Sequence, residues 1–170
     1  LLHAVILGFG GVPLLYMGDE VGLLNAYSYV DDPAHADDNR WVHRPRMDWD
    51  AVAAANADWG SPRGRILTGL KRLVGVRKRT PHLHASVESR VVESRDPRLL
   101  ILKREHPLGT MVQVYNVSES AAELPSEVVR PLVGASAVEL IGGDAYDLTP
   151  PTISVRAYQP LWLVAGNAQV

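Results

Sequence analysis

The stretch on which the reading of this chain turns is Gly11-Val12-Pro13-Leu14-Leu15-Tyr16-Met17-Gly18-Asp19-Glu20. Pro13 to Met17 is a short, continuous apolar run bounded by Pro and Gly, without the alternation of a half-exposed strand. Such a run suits a strand covered on both faces, as in a parallel sheet. Polar residues at the carboxyl end of a buried parallel strand are where α/β folds place their chemistry, so Asp19 and Glu20 are weighed first. As neighbours on a strand or its exit they point to opposite sides, and cannot both flank one bond as a catalytic carboxylate pair must. Otherwise they tie down the loop that follows.

Upstream, Leu1 to Phe9 is apolar nearly all round and reads as a buried helix ended by Gly10-Gly11. The chain opens on Leu1 without a basic leader, and reads as a piece of a longer chain that starts inside a fold. Downstream, Asn25 to Asp58 is a long segment of little periodicity, with a helical turn or two expected at 51–57. Loops of this length in a compact domain are functional or disordered. Trp41, Trp49 and Trp59 argue for order, because such rings need something to pack on. Ser61-Pro62 then starts a helix, with a hydroxyl N-cap and proline at the first position. Ile66, Leu67, Leu70, Leu73 and Val74 form its apolar stripe, basic residues fill its last turn, and Pro81 stops it.

Beyond Thr80-Pro81 the grammar changes. Short β runs fall at roughly 86–94, 98–105, 110–118, 136–141, 151–157 and 160–165, with turn signals at Pro107-Leu108-Gly109 and Gly142-Gly143-Asp144. This spacing predicts a small antiparallel sandwich, with Trp162 in its core.

Composition narrows the function. The chain has 170 residues, 46% of them hydrophobic, with 17 basic and 19 acidic side chains and a formal net charge of −2. That balance argues against a general nucleic-acid binder, which needs a basic excess or face. No apolar run approaches the ~20 residues of a membrane-spanning helix. With no cysteine, disulfides, thiolate nucleophiles and Cys-ligated metals are excluded.

The remaining constellations are weak. Asp31, Asp32, Asp37 and Asp38 lack the spacing, glycine and terminal Glu of an EF-hand calcium loop. A phosphate site at Arg40, His43, Arg44 and Arg46 is conceivable, but no glycine-rich turn accompanies it; arginines paired to the neighbouring aspartates are the plainer reading. His82 and His84 read as linker histidines, without a third metal ligand nearby. Ser118 and Ser120 lack a nucleophile elbow. No metal or cofactor is expected.

One resemblance sharpens this picture. Gly11 to Glu20 resembles the last barrel strand of the α-amylase-type glycoside hydrolases, with its G-x-P-x-x-Y-x-G-x-E pattern. Gly18 to Asn25, followed by Asp37-Asp38-Asn39-Arg40-Trp41-Val42-His43-Arg44-Pro45-Arg46, resembles the amylosucrase family within it. The similarity is weak through the β region. It implies an α/β plus all-β architecture: residues 1–82 as the last strand, active-site loop and last helix of a TIM (β/α)8 barrel, and residues 83–170 as a C-terminal β-sandwich. It further implies a retaining transfer of glucose from sucrose to an α-1,4-glucan, with fructose released. The nucleophilic Asp, the acid/base Glu and the stabilising Asp would lie on earlier strands, so the isolated piece is expected to be inactive. Arg40 matches the arginine at the bottom of the glucose pocket, paired there with an aspartate from elsewhere in the barrel. Trp41 and His43 either shape the rim or pack the loop. A sucrose hydrolase, sucrose isomerase or trehalose synthase on the same barrel, or a non-catalytic carbohydrate-binding or structural module, are the alternatives.

Overall fold

The apolar opening forms helix α1, Leu2–Phe9, in the computed structural model, which describes residues 1–167. Gly10 follows at φ 133°, a conformation that costs a residue with a Cβ dearly. The second long helix expected from the sequence is present as α3, Pro62–Arg79, and the Ser61 hydroxyl accepts from the Gly64 N–H at 3.1 Å as its cap. Between them, α2 occupies Trp49–Ala57, with the Asp48 side chain accepting from Ala51 N–H at 2.9 Å.

The strand expected at Pro13–Met17 does not form: among the described residues no strand precedes Ser89. The reason is physical. A strand buried in a parallel sheet exists only between its neighbours, and these residues have none here to complete a ladder. Leu14 is accordingly 76% exposed.

Packing divides the chain into two units, residues 14–71 and residues 1–13 with 72 onward. This division differs from the chain-order boundary expected at 82/83, because α1 and the last part of α3 pack with the β region. The smaller unit has its own core of Val21, Ala55 and Leu67, with Leu23, Met47 and Val52 against it.

In the larger unit the strands are β1 (Ser89–Val92), β2 (Leu99–His106), β3 (Gly109–Asn116), β4 (Ala122–Pro125), β5 (Ser136–Glu139), β6 (Ala145–Asp147), β7 (Thr152–Val155) and β8 (Pro160–Ala165), with helix α4 (Ser126–Val133) after β4. A six-stranded antiparallel sheet runs β1-β2-β3-β8-β5-β6, and β4 pairs with β7 separately. The six expected runs all contain strands; β4, β6 and α4 come in addition. The β2–β3 register closes at His106 opposite Gly109, so Pro107-Leu108 is the hairpin turn.

The large sheet is covered on both faces. One face carries Ile101, Val112, Val114 and Leu163 into an apolar core with Leu124, from β4, and Val129, from α4. The other presents Arg104, Gln113, Tyr115 and Trp162, all fully buried. This polar face holds the end of α1. Carbonyls in the last turn of a helix have no partner within it. Here Gly8 O accepts from Gln113 Nε2 at 2.9 Å and Arg104 Nη1 at 3.2 Å, and Phe9 O from Arg104 Nη1 at 2.8 Å and from the Ser89 hydroxyl. Arg77 donates to Leu7 O and, at 2.8 Å, to Gly11 O. Two cations thus sit at the negative end of the helix dipole.

Arg104 also donates to His82 O (2.6 Å), His84 O (2.8 Å) and Val87 O (2.6 Å). Its charge is buried against carbonyl dipoles rather than a carboxylate. Burial and the nearby Arg77 lower its pKa from the usual arginine value. The connector that Arg104 gathers corrects a sequence expectation: His82 is 1% exposed, a core residue rather than a linker histidine.

Candidate functional site

The segment from Asp19 to Arg46 is ordered by short polar contacts around three 3-10 turns, Asp19–Val21, Tyr27–Asp31 and Asn39–His43. Gly18 enters the first at φ 94°, and a Cβ there would lie 2.6 Å from Leu23 Cδ1. Glu20 accepts from the Gly18 N–H at 2.8 Å and Asp19 from the Tyr16 N–H at 3.3 Å. Both carboxylates therefore brace the turn.

The 37–46 block is built around Asp38. Its side chain caps the 3-10 turn by accepting from Arg40 N–H at 3.0 Å. The same carboxylate takes the Arg40 guanidinium side-on, with Nε at 2.8 and 3.0 Å and Nη2 at 2.8 Å. These bonds hold the Asp38 carboxyl down to about 2 and raise the pKa of Arg40. The guanidinium is nonetheless 71% exposed. Within this chain its partner is the aspartate two residues back, as the plainer reading of the residues had it.

Trp41 and His43 are held separately. The Trp41 ring stacks on His35 with centroids 3.7 Å apart and 29° between planes, and Arg44 lies 5.6 Å from its centroid. His35 is anchored by Asp32 at 3.0 Å. His43 Nδ1 lies 3.2 Å from Asn25 Oδ1, and Asn25 Nδ2 donates to the Tyr27 hydroxyl at 3.3 Å. Backbone pairing of Ala26 N–H with Val42 O at 2.8 Å ties the two ends of the loop together. Asp32 and Asp38 thus spend their oxygens within the loop, and among the described residues no three His, Asp or Glu side chains gather as metal ligands. Trp49 and Trp59, expected to need a packing partner, are 72% and 73% exposed.

Chemically, the block presents a permanently charged planar fork beside an aromatic ring and an imidazole. That set recognises hydroxyls or anions. The polar residues that sequence reasoning missed are Arg104 and Gln113. Their neighbours in the strand pattern look solvent-facing, and only the helix laid over that face buries them.

Comparison with known proteins places these elements in context. Residues 89–164 match the Amylosucrase_C-like family, described as "Amylosucrase, C-terminal domain". The region of weakest sequence similarity thus carries this match. Glucosylglycerate phosphorylase of Escherichia coli K12 is 21% identical over 164 residues, covering 96% of this chain and 27% of that protein. The chain therefore spans about a quarter of this curated relative.

Among solved structures, a variant of AmyP in complex with maltotriose superposes with a TM-score of 0.75 at 16% identity, covering 98% of this chain and 34% of that one. The maltogenic amylase of S. marinus gives 0.66 at 19%, over 99% and 19% of the respective chains. The cyclic α-maltosyl-(1→6)-maltose hydrolase of Arthrobacter globiformis gives 0.62 at 15%, over 96% and 29%. At such identities these likenesses establish the fold: a small antiparallel β domain matching the C-terminal domains of α-amylase-family enzymes. Residues 89–164 thus match an amylosucrase C-terminal domain, and the solved structures share the fold.

Proposed function

We propose that this chain is the C-terminal piece of a retaining glucosyltransferase that moves glucose from sucrose to an α-1,4-glucan and releases fructose. The observation that carries the reading is the amylosucrase C-terminal match at 89–164, on the same chain as the Asp37–Arg46 block. In this mechanism an Asp attacks the anomeric carbon while a Glu protonates the departing fructosyl oxygen. The Glu then deprotonates the acceptor hydroxyl that displaces the Asp. Both carboxylates belong to the remainder of the barrel. This piece supplies Arg40, whose Nε and Nη2 edge is held by Asp38, which leaves Nη1 available for the glucose pocket or its aspartate. Trp41 and His43 stand beside it at the rim. The exposed side of α1, with Leu2 at 75% and Phe9 at 57%, and the run from Val12, at 90%, to Met17 are the surfaces that the rest of the same barrel covers.

A second reading follows from the glucosylglycerate phosphorylase relative: inorganic phosphate replaces the glucan hydroxyl as acceptor. One experiment separates the readings. The intact parent protein is incubated with sucrose, with and without phosphate, and fructose, free glucose, glucan and glucose phosphate are quantified. Fructose in excess of glucose with glucan accumulating supports the transferase. Glucose phosphate formed only with phosphate supports the phosphorylase. Equal fructose and glucose indicate hydrolysis, and unconsumed sucrose overturns the assignment.

A further inference from the structure

His82 occupies an unusual position. Its ring is 1% exposed, and neither ring nitrogen makes a hydrogen bond of sound geometry among the described residues. The ring lies 5.1 Å from that of His106, centroid to centroid, at 49°. The groups that bear on it are His106 and Arg104 from β2 and the Gly109 backbone from β3. Burial first, then the neighbouring His106 and, less, Arg104 lower the His82 pKa; the Gly109 backbone, ranking between those two neighbours, pulls the other way. A proton arriving on His82 would be buried beside charge of its own sign, at an unpartnered site.

The backbone of this residue has a second role. His82 O, with His84 O and Val87 O, is held by the guanidinium that also grips Gly8 O and Phe9 O at the end of α1. Moving the connector therefore disturbs the grip on the helix. Solvent reaches this edge through an open groove of about 690 Å³ lined in part by Pro81, His84, Lys103 and His106.

We propose that His82 and His106 form a proton-sensitive latch, in which protonating the buried His82 ring loosens the 82–87 connector and, through Arg104, releases the end of α1 from the sheet. The sign follows from linkage. At pH above the ordinary histidine value of ~6.5, His82 is neutral whether the latch is closed or open, and contributes no pH dependence. As pH falls below that value the open form takes up the proton first. Closed latch is lost at up to about tenfold per pH unit, until the lowered pKa of the closed form is reached.

The test uses the whole chain. Hydrogen exchange of the α1 amides of residues 5–9, corrected for intrinsic chemical rates, is followed from pH 7.5 to 5, with the His82 ring titrated by NMR. The expected result is a His82 midpoint below the ordinary histidine value, and α1 protection that falls toward tenfold per pH unit while β3 amides keep theirs. His82→Leu removes this dependence. His106→Gln, by taking away the neighbouring ring, raises the closed-form midpoint, so the loss of protection levels off at a higher pH and is smaller in total. Unchanged pH dependence in His82→Leu, or loss of α1 and β3 protection only together, overturns the latch. Should His82→Leu fail to fold, a wild-type His82 midpoint at or above the ordinary value overturns it alone.

Discussion

The indole Nε1 of Trp162 donates to the hydroxyl of Tyr115 at 3.1 Å, and that hydroxyl donates in turn to the Ala4 carbonyl at 3.3 Å. A chain of three residues thus links the middle of the sheet to the first turn of α1. Burial raises the Tyr115 pKa well above the usual tyrosine value, so the hydroxyl stays a donor at any working pH. Tyr115→Phe leaves the buried indole N–H unpaired and takes a second donor from the Ala4 carbonyl. The expected loss is about 1–3 kcal/mol, read as a lower urea midpoint with unchanged slope. An unshifted midpoint would show that the hydroxyl contributes nothing.

Arg104 carries a larger burden. Arg104→Met keeps much of the side-chain volume but strips partners from five backbone carbonyls. A loss of at least ~3 kcal/mol in the same unfolding experiment is expected. Arg104→Lys, with the charge but not the planar fork, should recover only part of it. Equal stability of all three proteins would contradict the account.

Two helical glycines give opposite signs for one substitution. Alanine is favoured over glycine in a helix by about 1 kcal/mol. At Gly69 a Cβ meets nothing within 4 Å, so Gly69→Ala should raise the melting temperature. At Gly8 it would lie 2.7 Å from Gln113 Nε2 and closer still to the Tyr115 hydroxyl. Overpacking costs about 1–3 kcal/mol and overrides the propensity, so Gly8→Ala should lower it. Calorimetry of both variants decides; a stabilised Gly8→Ala would refute the close approach.

For the proposed reaction, Arg40→Ala in the intact parent enzyme is expected to abolish sucrose turnover, and Arg40→Lys to restore little of it. Because Arg40 is largely exposed in this chain, the folded state itself should be little affected. Loss of activity with retained unfolding midpoint would fit a role in the pocket. Near-normal turnover would remove Arg40 from it.

The elements with strong local signals were legible in the sequence. Ser61-Pro62 and Pro81 bracketed α3, and Pro107-Leu108 marked the hairpin between β2 and β3. α4 was not legible, because Pro131 lies within it and its eight residues are too few to show a period. The run at Pro13–Met17 read as a buried strand, but Leu14 to Met17 are exposed and form none, because a strand depends on neighbours that local sequence does not supply. Within the candidate site, Arg40, Trp41 and His43 drew attention through the resemblance of the Asp37–Arg46 block to the amylosucrase family. Their partners Asp38, His35 and Asn25 depend on how the loop turns, which no periodicity encodes. Arg104 alternates along β2 as a solvated residue would, and only tertiary packing makes it a core residue.

The two unlike faces of the large sheet have a consequence for how such domains can be exchanged between enzymes. The apolar face is satisfied by the domain's own β4, β7 and α4, and asks nothing of its neighbour. The polar face is keyed: Arg104, Gln113 and Tyr115 fit a helix that ends at a particular carbonyl and bears glycine at position 8. A chimaera that grafts a foreign β domain behind α1, or this one behind another helix, inherits a lock without its key. Recombination should therefore succeed when the crossover carries helix and sheet together, and fail when it falls between them.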